Sequence, residues 1–182
     1  MTKAYNPGSG FTKSSNYGRR IDPITGIPGT FHSGQDFRAK AGTPIPAAAS
    51  GVVVYSGFNE GLGNVVIVKN DTGKYSLYGH MLNGDRVELG RRIWQGDTIG
   101  LVGSTGKRTT GNHLHYSVIT SKAGESITGK DGGIGPKLIE ENTIDPADMT
   151  IMTPRRVTRM RQCVPREYRP VSSILQDSRP PT

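Results

Sequence analysis

The stretch that decides the fold is GNHLHYSVI, residues 111–119. Aromatic and β-branched residues in its second half favour extended backbone, so the stretch is predicted to be a strand. Side chains alternate between the two faces of a strand, which places His113 and His115 together and turns Leu114 into the core. Two imidazoles on one strand face are what a metal site with an adjacent base requires, and two solvated surface histidines would give the same pattern.

A second motif, FHSGQDF at residues 31–37, places a carboxylate four residues after a histidine. Gly34 argues against a helix, so the motif is predicted to be a loop entering a short strand. Alone, His32 and Asp36 fit an ordinary surface pair. Combined with the two later histidines, they supply the ligand set of a catalytic zinc site, which has three His or carboxylate ligands and a fourth position open to water.

The middle of the chain predicts short strands separated by glycine-rich turns. These strands are expected at residues 52–55, 64–69, 75–80, 86–89 and 98–102. The sequence NDTG at residues 70–73 is typical of a hairpin, and the chain contains 25 glycines in total. No segment shows a sustained helical period. The predicted fold class is therefore all-β, a mainly antiparallel sheet whose long loops form a substrate groove, with few or no helices.

These motifs resemble the paired signature of the lysostaphin/LytM family of zinc endopeptidases. The likeness is carried by HSGQD at 32–36 and HLH at 113–115. It continues, in the family's order, through NYGRR at 16–20, AGTPIPA at 41–47, YGHM at 78–81, GDTIG at 96–100 and TTGNH at 109–113. One departure is the dipeptide Lys69-Asn70, where many relatives have a histidine after the central strand.

The resemblance implies one zinc ion per chain, bound by His32, Asp36 and His115. It implies that His113 is the general base and that His80 donates a hydrogen bond to the developing oxyanion. The implied reaction is hydrolysis of an amide in the peptide part of bacterial peptidoglycan, within the stem peptide or the cross-bridge. The alternative is a catalytically silent family member that serves as a structural or wall-binding module. Such relatives typically lose zinc ligands, and this chain keeps all three.

Composition divides the chain into three parts. Residues 1–13 are predicted to be an extended lead-in, residues 14–150 the endopeptidase domain, and residues 151–182 a basic, proline-rich C-terminal tail. Three segments rich in turn residues are expected to wall the groove, at residues 21–30, 82–85 and 120–143.

The chain is basic, with a formal net charge of +8, and its charge is concentrated at the C-terminal end. Seven arginines and two acidic residues follow Thr153, together with five prolines. A segment of this composition has too little apolar surface to fold alone. We expect residues 153–182 to bind a protein partner in a larger assembly or an acidic polymer. No nucleic-acid partner is expected, because the domain lacks a basic helix or interleaved aromatic residues.

The sequence shows no stretch of eighteen apolar residues, so no membrane span is expected. The first residues also lack the apolar segment of a secretory signal. The expected place of action is the bacterial cell wall or periplasm. These features together predict a phage enzyme, either carried in the virion tail or released through a holin.

The tail generates a first prediction. Deleting residues 153–182 should leave zinc binding and hydrolysis of a small soluble peptide largely intact, because the tail is predicted to lie outside the catalytic fold. Retention on the partner or wall should weaken, and added salt should mimic the deletion, since salt shortens the screening length to about 8 Å at physiological strength. Co-sedimentation with purified sacculi at low and high salt measures the retention. Unfolding of the truncated chain would show that the tail is an integral strand or clasp.

Overall fold

The computed structural model describes residues 2–3, 7–8, 10–84, 86–120 and 142–151. These residues form fourteen strands, all paired antiparallel: β1 (Thr2–Lys3), β2 (Thr12–Ser15), β3 (Gly18–Arg20), β4 (Thr30–His32), β5 (Gln35–Arg38), β6 (Pro44–Pro46), β7 (Gly51–Asn59), β8 (Gly63–Asn70), β9 (Tyr75–Met81), β10 (Arg92–Ile93), β11 (Thr98–Leu101), β12 (His113–Ile119), β13 (Thr143–Ile144) and β14 (Thr150–Ile151). One 3-10 turn spans Pro146–Asp148, and these ranges contain no α-helix. The predicted all-β class is confirmed.

One eight-stranded sheet organises the molecule. Its strands follow the order β10-β7-β8-β9-β12-β5-β2, and β13 pairs with β12 beside this path. Three smaller pairings, β1 with β14, β3 with β4, and β6 with β11, lie outside this sheet. The strand that carries the two neighbouring histidines, β12, is therefore an interior strand with hydrogen-bonded neighbours on both sides.

The central strands are buried on both faces, and alternation divides their side chains between two apolar clusters. In β8, Val66 and Val68 enter the larger cluster, whereas Val65 and Ile67 enter the smaller one. In β12 the larger cluster takes Leu114 and the alternate residues that follow it. That assignment leaves the histidines of β12 on the opposite face, as the alternation of the sequence predicts.

The strand predicted at residues 86–89 is wrong, because the structure has no strand there. Val87 is buried, as a strand residue would be, and its N–H donates to the Ile99 carbonyl at 3.1 Å. The segment lies between Gly84 and Gly90, both of which have positive φ angles of 98° and 81°. Turns at both ends leave too little extended chain for a ladder.

Two predicted segments fall largely outside the described residues. These are the groove loop at 120–143, of which residues 121–141 are not described, and the C-terminal tail, beyond residue 151. The boundary predicted between residues 13 and 14 lies within β2, and the division into domains stays a prediction. Within the part of the chain that is described, no helix is long and apolar enough to cross a membrane.

The core generates a second prediction. Leu114 is fully buried, so Leu114→Ala should lower the free energy of unfolding by about 2–5 kcal/mol through lost burial and the cavity left behind. Leu89 is 68% exposed, and Leu89→Ala, a matched control, should change stability by no more than about 0.5 kcal/mol. Urea unfolding measures both. Equal losses for the two variants would contradict the assignment of Leu114 to the core.

Candidate active site

The candidate site forms where β12 pairs with β5. His115 lies directly opposite Asp36, and His113 lies opposite Arg38, so all four side chains project from one face of the sheet. His32 comes from the end of β4, and a tight turn at Ser33 and Gly34 leads from it into β5. The prediction of a loop entering a short strand therefore holds for Asp36, with a further short strand preceding the loop.

Three donor atoms converge at this point. The Nε2 atom of His32 is 3.2 Å from Nδ1 of His115 and 3.2 Å from Oδ1 of Asp36, and the last two atoms are 3.0 Å apart. Around a tetrahedral zinc with ligand distances of about 2.0–2.1 Å, two donors lie roughly 3.3 Å apart. Two imidazoles and one carboxylate are also a donor set that zinc favours. The residues present therefore fit a zinc ion.

In His32 and in His115, the ring nitrogen that faces away from Asp36 makes a contact of its own. Nδ1–H of His32 donates to the carbonyl oxygen of Asn16 at 2.7 Å. Nε2 of His115 lies 2.9 Å from the buried hydroxyl of Ser117. Contacts of this kind fix the tautomer and orientation of a metal-binding histidine. With a metal bound, each ring would therefore present its other nitrogen, as a lone pair, to the ion.

Electrostatics keeps the carboxylate ionised. Burial raises the pKa of the Asp36 carboxyl, but the neighbouring imidazoles of His115 and His32 outweigh burial and hold that pKa well below the usual range. Burial lowers the pKa of the His115 imidazole, although the hydrogen bond to Asp36 opposes the shift. The combination is a charged carboxylate beside a neutral imidazole, which is the protonation that metal binding requires.

Gly34 permits the close approach of the β4–β5 turn to β12. A Cβ atom at this position would lie 2.4 Å from the Tyr116 carbonyl oxygen, 2.6 Å from the Ser117 hydroxyl oxygen and 2.9 Å from Cε1 of His115. Any side chain would therefore displace the ring of His115 or the strand that carries it. The glycine between His32 and Asp36 has a steric role in bringing the donors together.

His80 reaches the site through a β-bulge. Along β8 and β9, Asn64 pairs with Met81 and Val66 with Tyr78, so two residues of β9 lie opposite one residue of β8. His80 has a φ of 59°, rare for a residue with a side chain. Strict alternation would place His80 on the same face as Tyr78. The bulge turns it to the other face, and bulges often redirect side chains beside active sites.

His80 and His113 lie together beside the three donors. Their ring centroids are 4.6 Å apart, and Nε2 of His113 is 3.7 Å from Oδ1 of Asp36. Nδ1–H of His80 donates to the Thr105 carbonyl at 2.8 Å, and Nδ1–H of His113 donates to the Gly111 carbonyl at 2.7 Å. In their neutral forms both rings therefore carry the free lone pair on Nε2. Burial lowers the pKa of His80 to about 3, helped by the nearby His115.

A cleft of about 390 Å³ opens over these side chains. The predicted wall at residues 21–30 is found, since Asp22, Pro23 and Ile24 line the cleft. The described part of the predicted wall at residues 82–85 does not line it. The turn at residues 59–62, together with Arg108, contributes to the lining instead.

An ion pair joins two segments that line the cleft. The carboxylate of Asp22 is 3% exposed and accepts a hydrogen bond from the Arg108 guanidinium. Its other oxygen accepts backbone N–H groups of Ile24 and Thr25, at 2.8 and 3.1 Å. These backbone bonds, Ile24 first, and Arg108 hold the pKa of Asp22 well below its usual value. Sequence reasoning missed this contact, because the two residues are 86 positions apart.

Comparison with known proteins identifies the family to which the chain belongs. The profile of Peptidase family M23 matches residues 30–128, which include all the candidate site residues. The chain belongs to Peptidase family M23. This membership confirms the predicted lysostaphin/LytM likeness, the metallopeptidase class and zinc as the cofactor. The three converging donors lie within the part of the chain that the family profile matches.

Individual relatives are consistent with membership of this family. The chain is 43% identical to the peptidoglycan DD-endopeptidase ShyC of Vibrio cholerae over 59% of its length and 24% of the relative's. It is 40% identical to the glycyl-glycine endopeptidase ALE-1 of Staphylococcus capitis, over 58% of the chain and 29% of the relative. The crystal structure of the catalytic domain of EnpA, a prophage-encoded M23 protein of Enterococcus faecalis, has a TM-score of 0.58 at 33% identity, covering 79% of this chain and 94% of that domain. The M23 chain spans about a quarter of the length of the two curated relatives.

The structure brings together all five predicted site residues: His32, Asp36 and His115 as converging donors, and His80 and His113 beside them. Their individual roles stay predictions.

The ion pair between Asp22 and Arg108 generates a third prediction. A carboxyl whose pKa is lowered in the folded state stabilises the fold fully above its ordinary pKa of 3.8, and the contribution is lost as the pH falls through that value towards the folded one. Asp22→Asn should therefore lower the melting temperature at neutral pH, and the difference from the unaltered protein should narrow towards about pH 3. Calorimetry at several pH values measures both.

A matched control is Asp71→Asn, which breaks an exposed ion pair with Arg92. Exposed pairs contribute little, so its effect should be smaller. A difference for Asp22→Asn that stays constant down to about pH 3 would mean that the charge of Asp22 is not what stabilises the loop.

Proposed function

We propose that this M23 domain is a zinc-dependent endopeptidase that hydrolyses amide bonds in the peptide part of bacterial peptidoglycan. One observation carries the proposal: three donor atoms converge within 3.2 Å of one another beside two further imidazoles, at the floor of an open cleft. A catalytically silent member would not need that complete set. The names of the relatives ShyC and ALE-1 supply the substrate class, since both names describe endopeptidases and ShyC's specifies peptidoglycan.

His32, Asp36 and His115 would hold the zinc ion. With one carboxylate and two neutral imidazoles the site keeps a net positive charge. Zinc bound there supplies Lewis-acid activation of a water molecule and of the amide carbonyl. The protein contributes the fixed orientation of the donors, set by Asn16 behind His32 and by Ser117 behind His115.

His113 would act as the general base. Its Nδ1–H is committed to the Gly111 carbonyl, so the lone pair of Nε2 is free to accept a proton from the attacking water. Nε2 lies 3.7 Å from Asp36 Oδ1, close enough to serve a water that attacks a substrate bound at the donors. The water oxygen bonds to the carbonyl carbon, the C–N bond breaks, and the proton held by His113 passes to the leaving amine.

His80 would stabilise charge on the carbonyl oxygen of the scissile amide, provided that its ring is protonated on Nε2. Its Nδ1–H donates to Thr105, so the neutral ring has no second N–H to offer. It can donate from Nε2 only after gaining a proton. The ring centroids of His80 and His113 are 4.6 Å apart, and burial lowers the pKa of His80 to about 3, so His80 would carry the abstracted proton only transiently, before that proton passes to the leaving amine.

A narrower biological setting is a phage lysin or a virion tail component. The observation that favours it is the likeness to the catalytic domain of prophage-encoded EnpA, which the chain matches over 94% of that domain. The arginine- and proline-rich residues 153–182 would then bind a virion protein or an anionic wall polymer. Immunolabelling of purified virions tests this setting, and a protein found only in the cell lysate would favour release through a holin.

The site generates a fourth prediction. His115→Ala should lose both zinc and activity, whereas His113→Ala and His80→Ala should keep the metal and lose most turnover, by about 10²-fold or more. Zinc content by atomic absorption and release of peptides from purified sacculi, identified by mass spectrometry, measure these two properties separately.

A matched control is Lys69→Ala, which alters an exposed side chain outside the cleft and should change neither property. If His113→Ala released zinc while His115→Ala retained it, the two roles would be reversed. If the zinc-loaded protein released no peptide from any sacculus, the proposed activity would be wrong.

A further inference from the structure

A second cavity, of about 240 Å³, adjoins the cleft on the side of His113. Arg20, Pro23, Asp36 and His113 line both spaces, so a substrate bound at the candidate zinc donors can extend into this second cavity. Its remaining lining is polar or small, with serine and threonine hydroxyls, one asparagine and one further arginine, Arg38.

The charge of this cavity is unbalanced. Arg20 and Arg38 are its two cations, and Asp36 is the one acidic residue among its lining residues. A guanidinium nitrogen of Arg20 is 3.4 Å from Oδ2 of Asp36 and another contact joins Arg20 to Ser15. The guanidinium of Arg20 therefore already has Asp36 and Ser15 as partners. Arg38 is exposed, and within the described chain its side chain has no hydrogen bond or ion pair.

Strand register fixes Arg38 beside the reacting groups. Arg38 lies directly opposite His113 in the pairing of β5 with β12, and opposite residues of an antiparallel pair project from the same face. The unpaired guanidinium is thus a cross-strand neighbour of the proposed general base. Along each strand this pair lies two residues from the pair formed by His115 and Asp36.

A carboxylate is the group that this arrangement fits. Arginine presents a planar fork of N–H donors that binds a carboxylate through two parallel hydrogen bonds. Serine hydroxyls and the Asn112 amide in the same lining can add neutral donors. A run of glycines offers no charged group within one residue of its scissile bond, and would leave Arg38 unpaired.

We propose that Arg38 is a specificity-determining residue that binds a free carboxylate on the substrate residue next to the scissile amide. This inference rests on the proposed endopeptidase function and narrows it: the substrate is a peptidoglycan peptide whose scissile bond is flanked by an amino acid with an unblocked carboxyl group. Among the specificities named for its relatives, it aligns the chain with DD-peptide cleavage of the ShyC kind and not with glycyl-glycine cleavage of the ALE-1 kind.

The test compares two substrates on the zinc-loaded full chain. One is an N-acetylated stem peptide ending in D-alanyl-D-alanine as the free acid, and the other is the same peptide as its C-terminal amide. The unaltered protein should prefer the acid by about tenfold or more in kcat/KM, chiefly through KM, which is the scale of one charge-assisted hydrogen-bonded pair. Arg38→Gln should remove this preference, and Arg38→Lys should restore part of it because the charge returns without the fork.

Arg91→Gln is the matched control, because Arg91 is also exposed but lines neither cavity, and it should keep the full preference. Arg20→Gln is unsuitable, since Arg20 contacts Asp36. Equal cleavage of acid and amide by the unaltered protein would overturn the inference. So would a preference that survives in Arg38→Gln, which would place the carboxylate on the zinc or on Arg20 instead.

Binding separates this inference from the proposed function. Calorimetric titration of the zinc-loaded protein with N-acetyl-D-alanine and with its amide should show the same preference for the acid, lost in Arg38→Gln. A preference present in binding without hydrolysis of any peptide or sacculus would support the role of Arg38 and overturn the endopeptidase activity. Hydrolysis of sacculi without any preference for the acid in either measurement would support the endopeptidase activity and overturn the role of Arg38.

Discussion

The pairing of β5 with β12 in a single register is the constraint on which the rest of the site depends. It sets Asp36 against His115, two residues 79 positions apart, with their donor atoms 3.0 Å from each other. A slip of one residue would turn both histidines of β12 into the apolar core and Leu114 outwards, so the hydrophobic pattern and the convergence of the three donors demand the same register. Burial of Leu114 thus contributes directly to the geometry of these donors.

Each of the four imidazoles is oriented by a second contact of its other nitrogen. Three of these contacts reach backbone carbonyls, those of Asn16, Thr105 and Gly111, and the fourth reaches the hydroxyl of Ser117. A carbonyl oxygen can only accept, so it decides which nitrogen carries the hydrogen. Backbone geometry therefore sets the tautomers of His32, His80 and His113, and burial lowers the pKa of His80 and of His115, which favours their neutral forms.

Sequence patterns predicted the parts of the site that follow from regular geometry. The alternation in HLH was enough to place His113 and His115 on one face. The motif FHSGQDF offered His32 and Asp36 as further ligands, and the family likeness supplied the role of each residue. The position of His80 followed from likeness alone, because strict alternation in β9 would have sent it into the core. Its placement depends on a bulge and a φ of 59°, which no local pattern announced beyond the preceding Gly79.

Other features escaped because they depend on the three-dimensional meeting of distant loops. Residues 59–62 and Arg108 line the cleft in place of the predicted wall at residues 82–85. The reason is that the bulge in β9 brings the β7–β8 turn over His80. The backbone N–H of His80 donates to the Leu62 carbonyl at 2.7 Å. The pairing of Asp22 with Arg108 likewise joins two segments that are far apart in the sequence.

The arginines around the site show how one scaffold can support different specificities. Arg108 is paired with Asp22 and Arg20 lies against Asp36, so both contribute to the shape of the cleft. Arg38 differs, because it projects from a strand position opposite His113 and has no partner of its own in the described chain. A side chain at that position is placed by the same register that places the donors Asp36 and His115, yet no contact with those donors constrains its identity. Where Arg38 binds the substrate as proposed, substrate preference can change at this exposed position without disturbing the three buried donors.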